Sequence, residues 1–202
     1  MSTRSTVFIA FMAFSTSTQA QYSGIGIKGG IQATSARAIL VRTVPITGAT
    51  AGLYVPWGIA PMVEIQPELL ISTMGTGWIE PDGDAYTERS LYFQAPVTFK
   101  YFITNSFNLA AGFQFGKPLA ARVTGSEGNK NVADRYENLD MGFVGGAGIG
   151  FQHGLDLSLR YYSATTRFHG DDDALFAKNR SVQFTIGYRF IQFRRSYTRR
   201  RP

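Results

Sequence analysis

Few residues in this sequence have the chemistry of a catalytic group. His153 and His169 are the only histidines, and the chain contains no cysteine. Ser163, His169 and Asp171 lie close together in sequence and are the residue types that a hydrolase or acyltransferase uses. Such catalysis needs a base held beside the nucleophile, and nothing in this spacing provides that contact. We therefore predict no catalytic residue and no enzymatic activity, and keep a hydrolase or acyltransferase as an alternative.

Metal and cofactor sites are not predicted either. The absence of cysteine excludes thiolate ligands. The acidic run 171–173 could attract a divalent cation, but a short run of this kind is more typical of a solvated loop tip. Gly24, Gly26 and Gly29 match the spacing of a dinucleotide-binding motif, which requires a helix after the glycines. Here they fall inside a strand-like segment with no helix to follow, so we expect no cofactor.

The net charge of +6 does not indicate a nucleic-acid-binding surface. Of the 20 Lys and Arg residues, Arg4 lies in the first twenty residues and five arginines lie in 191–202. The segment 21–190 therefore carries 14 basic and 14 acidic residues and has no basic excess. We expect no nucleic-acid partner. The Arg-rich end fits an anionic partner and a disordered terminus equally well.

The N-terminus has the three parts of an export signal. Arg4 precedes the apolar run 7–14 (VFIAFMAF), and a stretch of small and polar residues follows and ends at Ala20. The apolar run is shorter than the roughly 20 residues that a membrane-spanning helix needs. We predict a cleaved signal peptide at 1–20, a β-barrel domain at 21–190 and a basic C-terminal extension at 191–202.

Alternation of apolar and polar residues with a period of two recurs after residue 21 and predicts β-strands. Strands are expected at 22–34, 50–58, 63–77, 88–103, 107–121, 139–152, 155–168 and 181–190. The joins between them are alternately long (35–49, 78–87, 122–138 and 169–180) and short (59–62, 104–106 and 153–154). This rhythm predicts an all-β fold, a closed antiparallel up-and-down transmembrane β-barrel of about eight strands. Prolines within the strands predict bulges or strand ends at Pro56, Pro67, Pro96 and Pro118.

The two faces of each strand differ in side-chain size. In 107–116, Phe107, Leu109 and Phe113 alternate with residues such as Asn108 and Gln114. A barrel of about eight strands has an interior that side chains only just fill. The small, polar face therefore suits the lumen, and the large apolar face suits lipid. The residues predicted to face lipid are Phe93, Val97, Phe99, Phe113, Leu157, Phe184 and Ile186.

The charged residues on the polar face are expected to pair inside the barrel. Unpaired buried charge is costly, but this set contains both signs. We predict a lumen filled by a charge network, in which Glu68 or Asp156 is the partner of Lys100. Its members are Lys28, Glu68, Lys100, Asp140, Asp156, Arg160 and Arg189, and Glu64 joins them if its strand begins early.

Aromatic residues near the strand ends are predicted to lie at the two membrane interfaces, where amphipathic rings are favoured. Trp57, Tyr101, Tyr188 and Phe190 are near the short joins. Trp78 is near the long joins and is expected to belong to the opposite girdle.

Four segments resemble a known family. They are QPELLISTMG (66–75), LYFQAPVTFKYFITNSFNLAAGFQFG (91–116), GGAGIGFQHGLDLSLRYY (145–162) and QFTIGYRF (183–190). In this order and spacing they are similar to the PorT-type outer-membrane β-barrels of the Bacteroidota. The resemblance implies a signal peptide, a small eight-stranded barrel and, for some members, a link to type IX secretion and gliding. Such barrels usually end at a terminal aromatic residue, whereas here IQFRRSYTRRRP follows Phe190.

We therefore expect a non-enzymatic barrel of the cell outer membrane that acts as a structural or loop-mediated binding scaffold. Its expected partners are outer-membrane lipid and, by resemblance, proteins of a secretion or envelope complex. One alternative is a lipid-modifying enzyme on the same barrel. Another is a soluble, lipocalin-like carrier whose apolar face points inward.

Overall fold

The chain forms strands almost throughout the part that its structure, a computed structural model, describes. Within that part, no helix is long and apolar enough to cross a membrane. The described residues are 22–38, 42–80, 83–125, 128–132, 139–166 and 176–194. The strands are β1 (Tyr22–Ala38), β2 (Arg42–Val44), β3 (Ile46–Tyr54), β4 (Trp57–Ala60), β5 (Val63–Ile79), β6 (Ala85–Phe102), β7 (Phe107–Gly125), β8 (Gly128–Asn131), β9 (Asp140–Gly150), β10 (Leu155–Ala164) and β11 (Phe176–Arg194).

The strands close into an antiparallel ring. β2, β3 and β4 all pair with β5 and together form one interrupted barrel strand. Around the ring, β3 is followed by β5, β6, β7, β9, β10, β11 and β1, which pairs with β3 again. The first and last strands meet along their whole length, from Tyr22 opposite Arg194 to Ala38 opposite Phe176. Counting β2 to β4 as one, the ring has eight strands, which confirms the predicted closed up-and-down barrel.

The first two long joins were predicted wrongly. The segment 35–49 is mostly strand, because β1 continues to Ala38 and β2 begins at Arg42. The segment 78–87 likewise shrinks to 80–84 between β5 and β6. Beyond the lipid band, the outward face of a barrel strand does not have to be apolar. Strand pairing therefore continues in segments that lack the alternation of apolar and polar residues from which strands were predicted. β11 also begins earlier than predicted, at Phe176, and runs to Arg194, into the segment predicted as the C-terminal extension.

Two of the four strand prolines mark irregularities, as predicted. Pro56 lies in the break between β3 and β4. Pro118 lies at a bulge, where Leu91 is opposite Ala120 but Tyr92 is opposite Pro118. At Pro67 and Pro96 the strands continue in unchanged register.

The predicted signal peptide and several other segments lie outside the described residues. These are 1–21, most of the Arg-rich end (195–202) and 167–175, which contains His169 and the acidic run 171–173.

Candidate functional site

The outward face of the barrel is apolar and exposed. The predicted lipid-facing residues all lie on it, and Phe93, Phe99, Phe113, Phe184 and Ile186 are between 40% and 52% exposed. Val97 and Leu157, on the same face, are half-buried. A lipocalin-like carrier with its apolar face inward is therefore the wrong alternative.

The inward face carries a cluster of buried charges in the half of the lumen nearer the short joins. Lys28 on β1 and Arg160 on β10 both reach Oε1 of Glu68 on β5, at 2.9 and 2.7 Å. The Gln66 amide donates to the same oxygen at 2.5 Å. The Glu68 carboxylate thus links β5 to β1 and β10, which are far apart in sequence. Closure of the ring brings the inward faces of these strands together in the lumen.

Lys100 forms a second ion pair in the same half. Its Nζ lies 3.0 Å from Oδ2 of Asp156 and 3.9 Å from Oε1 of Glu64. Of the two expected partners, Asp156 is the observed one, and Glu68 belongs to the Lys28 and Arg160 cluster. Glu64 lies on the inward face because β5 begins at Val63.

Tyr54 completes this charged half and was not anticipated from the sequence. Lys28 Nζ lies 4.8 Å from the centre of its ring. A Cβ atom at Gly26 would come within 2.4 Å of the ring, and one at Gly187 within 3.1 Å. The ring therefore packs flat against two glycines on the neighbouring strands. Glycine at the inward positions 26 and 187 was the feature of the sequence that could have predicted a large side chain packed against these strands.

Arg189 lies on the inward face at the short-join end. It is half-buried, and its Cδ would be 3.0 Å from a Cβ atom at Gly24. It therefore sits at the edge of the charged half, beside the start of β1.

The half of the lumen nearer the long joins is built differently. Asp140 accepts hydrogen bonds from the Tyr162 hydroxyl and the Asn179 amide, both at 2.7 Å. Asn179 also donates to the Tyr92 hydroxyl at 3.2 Å. Asp140 was predicted to join the charge network, but its position at the start of β9 places it apart from the Lys and Arg residues, and its partners are neutral.

Apolar side chains surround this second group. Met74, Tyr92, Val144, Tyr162 and Ala164 form one buried cluster. Beside it is a cavity of about 10 Å³, room for about one water molecule. The described contacts of Asp140 are thus hydrogen bonds from neutral donors set in apolar packing, whereas those of Glu68 and Lys100 are ion pairs.

Between the two halves, hydroxyl and amide side chains on the inward face bond to each other across neighbouring strands. Thr50 and Ser72 hydroxyls lie 2.7 Å apart, and Ser72 donates to Gln94 at 2.7 Å. On another wall, the Ser158 and Thr185 hydroxyls are 2.7 Å apart. These contacts line the inward wall between the two halves.

Four of the predicted interfacial aromatics lie on the outward face. Trp57, Tyr101, Tyr188 and Phe190 are exposed near the short joins. Trp78 was assigned to the outer girdle wrongly, because it is only 7% exposed and stacks on Tyr86 with ring centres 5.5 Å apart. It shares the inward face of β5 with Met74 and Thr76, and strand parity alone places it there.

The residues of a hydrolase are not brought together in the described part of the chain. Ser163 lies on the outward face of β10, opposite Phe143 and Arg180. His153 is in the turn 151–154 at the other end of the barrel. The other two members of the trio, His169 and Asp171, lie outside the described residues. No group of three metal-ligating side chains occurs among the residues that are described.

With this geometry in place, the comparisons with known proteins identify the class. The model of the outer membrane protein beta-barrel domain matches residues 6–190. The chain belongs to this family. It is therefore a protein of the cell outer membrane. No curated protein matches the sequence significantly.

Solved outer-membrane barrels share the fold at low sequence identity. The Neisserial surface protein A structure is 10% identical, covers 84% of this chain and 99% of its own, and has a TM-score of 0.53. The Ail attachment invasion locus protein of Yersinia pestis is 14% identical over 83% of this chain and 99% of its own, with a TM-score of 0.48. The outer membrane enzyme PagL is 15% identical over 81% of this chain and 99% of its own, with a TM-score of 0.45. At 10% identity, the likeness to Neisserial surface protein A shows the fold alone.

Proposed function

We propose that this protein is a non-enzymatic scaffold of the outer membrane with a side-chain-filled lumen. The observation that carries the proposal is the Glu68 cluster, in which Arg160 from the opposite wall and Lys28 from the next strand but one meet one carboxylate inside the ring. Such a cross-lumen cluster blocks diffusion through the barrel and holds its walls together. The outward apolar band then anchors the barrel in lipid, and binding is left to the joins at the external end.

The segments 66–75, 91–116, 145–162 and 183–190 support a narrower assignment. They resemble PorT-type barrels of the Bacteroidota, and on that basis we propose protein partners in a secretion or envelope-assembly complex. The predicted signal peptide at 1–20 fits this assignment, because such a barrel must be exported before it is inserted.

Planar-bilayer recording of the purified protein tests the filled lumen. We expect no large, stable channels, because ion pairs and hydrogen bonds occupy the interior. The matched control is the variant Lys28→Ala/Glu68→Ala/Arg160→Ala, which removes the cluster without leaving one charge unpaired and should raise the conductance. Large stable channels in the unmodified protein would contradict the proposal.

The non-enzymatic part of the proposal has its own test. Purified protein is incubated with outer-membrane lipids, and the lipids are analysed by mass spectrometry. We expect no change in lipid composition. A product that forms with the unmodified protein and disappears with Ser163→Ala or His169→Ala would establish the enzyme alternative instead.

A further inference from the structure

Charges on the outward face of the barrel have one sign. The five acidic residues of the described strands, Glu64, Glu68, Glu88, Asp140 and Asp156, are all buried. The charged residues that the same strands direct outward are all basic: Arg42, Arg89, Lys117, Arg122, Lys178 and Arg180. The surface that meets the membrane is therefore cationic wherever it is charged.

Two of these cations lie at one end of the barrel. Arg89 is near the start of β6, and Arg122 is near the end of β7, at the end opposite the short joins. Short turns face the periplasm in outer-membrane barrels, so this is the external rim. On β6, apolar outward residues run from Tyr101 to Leu91, a length that covers about 25 Å when the strand is tilted as usual. Arg89 is the next outward residue beyond that band.

The strongest concentration of charge is a pair of arginines. Arg89 and Arg122 are directly opposite each other on β6 and β7, which places their Cβ atoms about 5 Å apart. Like charges in this position repel, and neither side chain has a hydrogen bond or ion pair with any residue that the structure describes. On its other side Arg89 is opposite Gly75, which has no side chain to offer.

The surroundings of the pair are polar above and apolar below. Thr87 and Thr124 are opposite each other on the external side, and Leu91 and Ala120 on the membrane side. Guanidinium groups bind phosphate through paired hydrogen bonds. A phosphate held between the two arginines would have hydroxyls beside it and acyl chains along the apolar wall below.

We propose that Arg89 and Arg122 form a binding site for the phosphate of a phosphorylated glycolipid in the outer leaflet. Lys117 lies lower on the same wall, opposite Phe93, and a lysine stem in that position is long enough to carry its charge toward the interface. The site requires only that the barrel is in the outer membrane and does not rest on the proposed scaffold role. It gives the barrel a fixed lipid neighbour at one side.

Native mass spectrometry of the detergent-solubilised mature protein with bisphosphorylated lipid A tests the site. Arg89→Gln/Arg122→Gln should weaken binding about tenfold or more, as expected for the loss of charge-assisted hydrogen bonds. Arg89→Lys/Arg122→Lys should bind with intermediate affinity, because lysine keeps the charge but loses the paired geometry. The matched control, Lys178→Gln/Arg180→Gln, removes the same charge from β11 and should leave the affinity unchanged.

Three results would overturn the proposal. One is equal binding by unmodified protein and Arg89→Gln/Arg122→Gln, with folding verified by the heat-dependent shift on gels. Another is an equal loss in the β11 control, which would indicate general charge at the rim. The third uses only unmodified protein: lipid A without phosphates, or phosphatidylglycerol, binds as tightly as bisphosphorylated lipid A. Weaker binding of both lipids by the unmodified protein supports the phosphorylated glycolipid as the ligand.

Discussion

The two halves of the lumen are filled by side chains that make different interactions. Near the short joins, Glu68 holds Lys28 and Arg160, and Lys100 holds Asp156, all buried. Near the long joins, the carboxylate of Asp140 has neutral partners among the described residues and is set among aromatic and aliphatic side chains. The contacts of Glu68 and Lys100 thus depend on charge balance, and those of Asp140 on packing and hydrogen bonds from neutral donors.

The two halves of the lumen are expected to differ in how much a single substitution destabilises the barrel. Removing one member of a buried ion pair leaves an uncompensated charge, which costs more than the pair contributed. Removing one neutral donor from Asp140 leaves its other donor, Asn179, and the apolar packing in place. The charged half should therefore respond more strongly to single substitutions.

The largest effect is expected at Glu68. Glu68→Ala leaves Lys28 and Arg160 as unpaired buried cations, so the free energy of unfolding should fall by about 3 to 5 kcal/mol. Urea unfolding in lipid vesicles measures the change. Glu64→Ala is the matched control, because Lys100 keeps Asp156 at 3.0 Å and Glu64 is 3.9 Å away. If both variants lose the same stability, the charged half is not organised around Glu68.

An intermediate effect is expected on the outward wall, which is apolar alongside both halves. Phe113→Arg places a cation near the middle of the lipid-facing band and should destabilise the inserted barrel by about 2 to 4 kcal/mol. Unfolding from vesicles or the yield of inserted protein measures it. Leu119→Arg, near the external end of β7, is the control and should cost about 0 to 1 kcal/mol. Equal costs at the two depths would show that Phe113 does not face lipid.

The smallest effect is expected at Tyr162, which donates to Asp140 in the half of the lumen nearer the long joins. Tyr162→Phe removes the hydroxyl that donates to Asp140 at 2.7 Å, and a hydrogen bond to a charged group contributes about 1.5 to 3 kcal/mol. Asn179 still donates to Asp140. Tyr161→Phe on the outward face is the control and should leave the urea midpoint unchanged. A loss at Tyr162 larger than that at Glu68 would reverse the comparison of the two halves.

Part of the candidate site followed from strand parity. Lys28, Glu68, Lys100, Asp156 and Arg160 share the small, polar faces of their strands, and the structure directs all five inward. Parity also placed Trp78 inside, and assigning it by its nearness to a strand end was the mistake. The predicted end of β1 at residue 34, four residues before its observed end at Ala38, had a different cause. The part of the strand beyond the lipid band is polar and lacks the alternation by which strands were predicted.

The pairing inside the lumen could not be predicted from parity. Lys28 and Glu68 are 40 positions apart, and Lys100 and Asp156 are 56 apart. Their contacts depend on the stagger of the strands around the closed ring. Glu68 was expected as a partner of Lys100 because it lies on the neighbouring strand, and Asp156 because it could reach Lys100 across the lumen; the structure pairs Lys100 with Asp156.

The sequence by itself determined that the chain is a barrel and which face of each strand looks outward, because a strand has a period of two and lipid accepts only the apolar face. The tertiary structure decided which charges meet, that Asp140 stands apart from them, and that Arg89 lies opposite Arg122. The physical reason is that closure sets the register between strands, and register is a property of the whole ring.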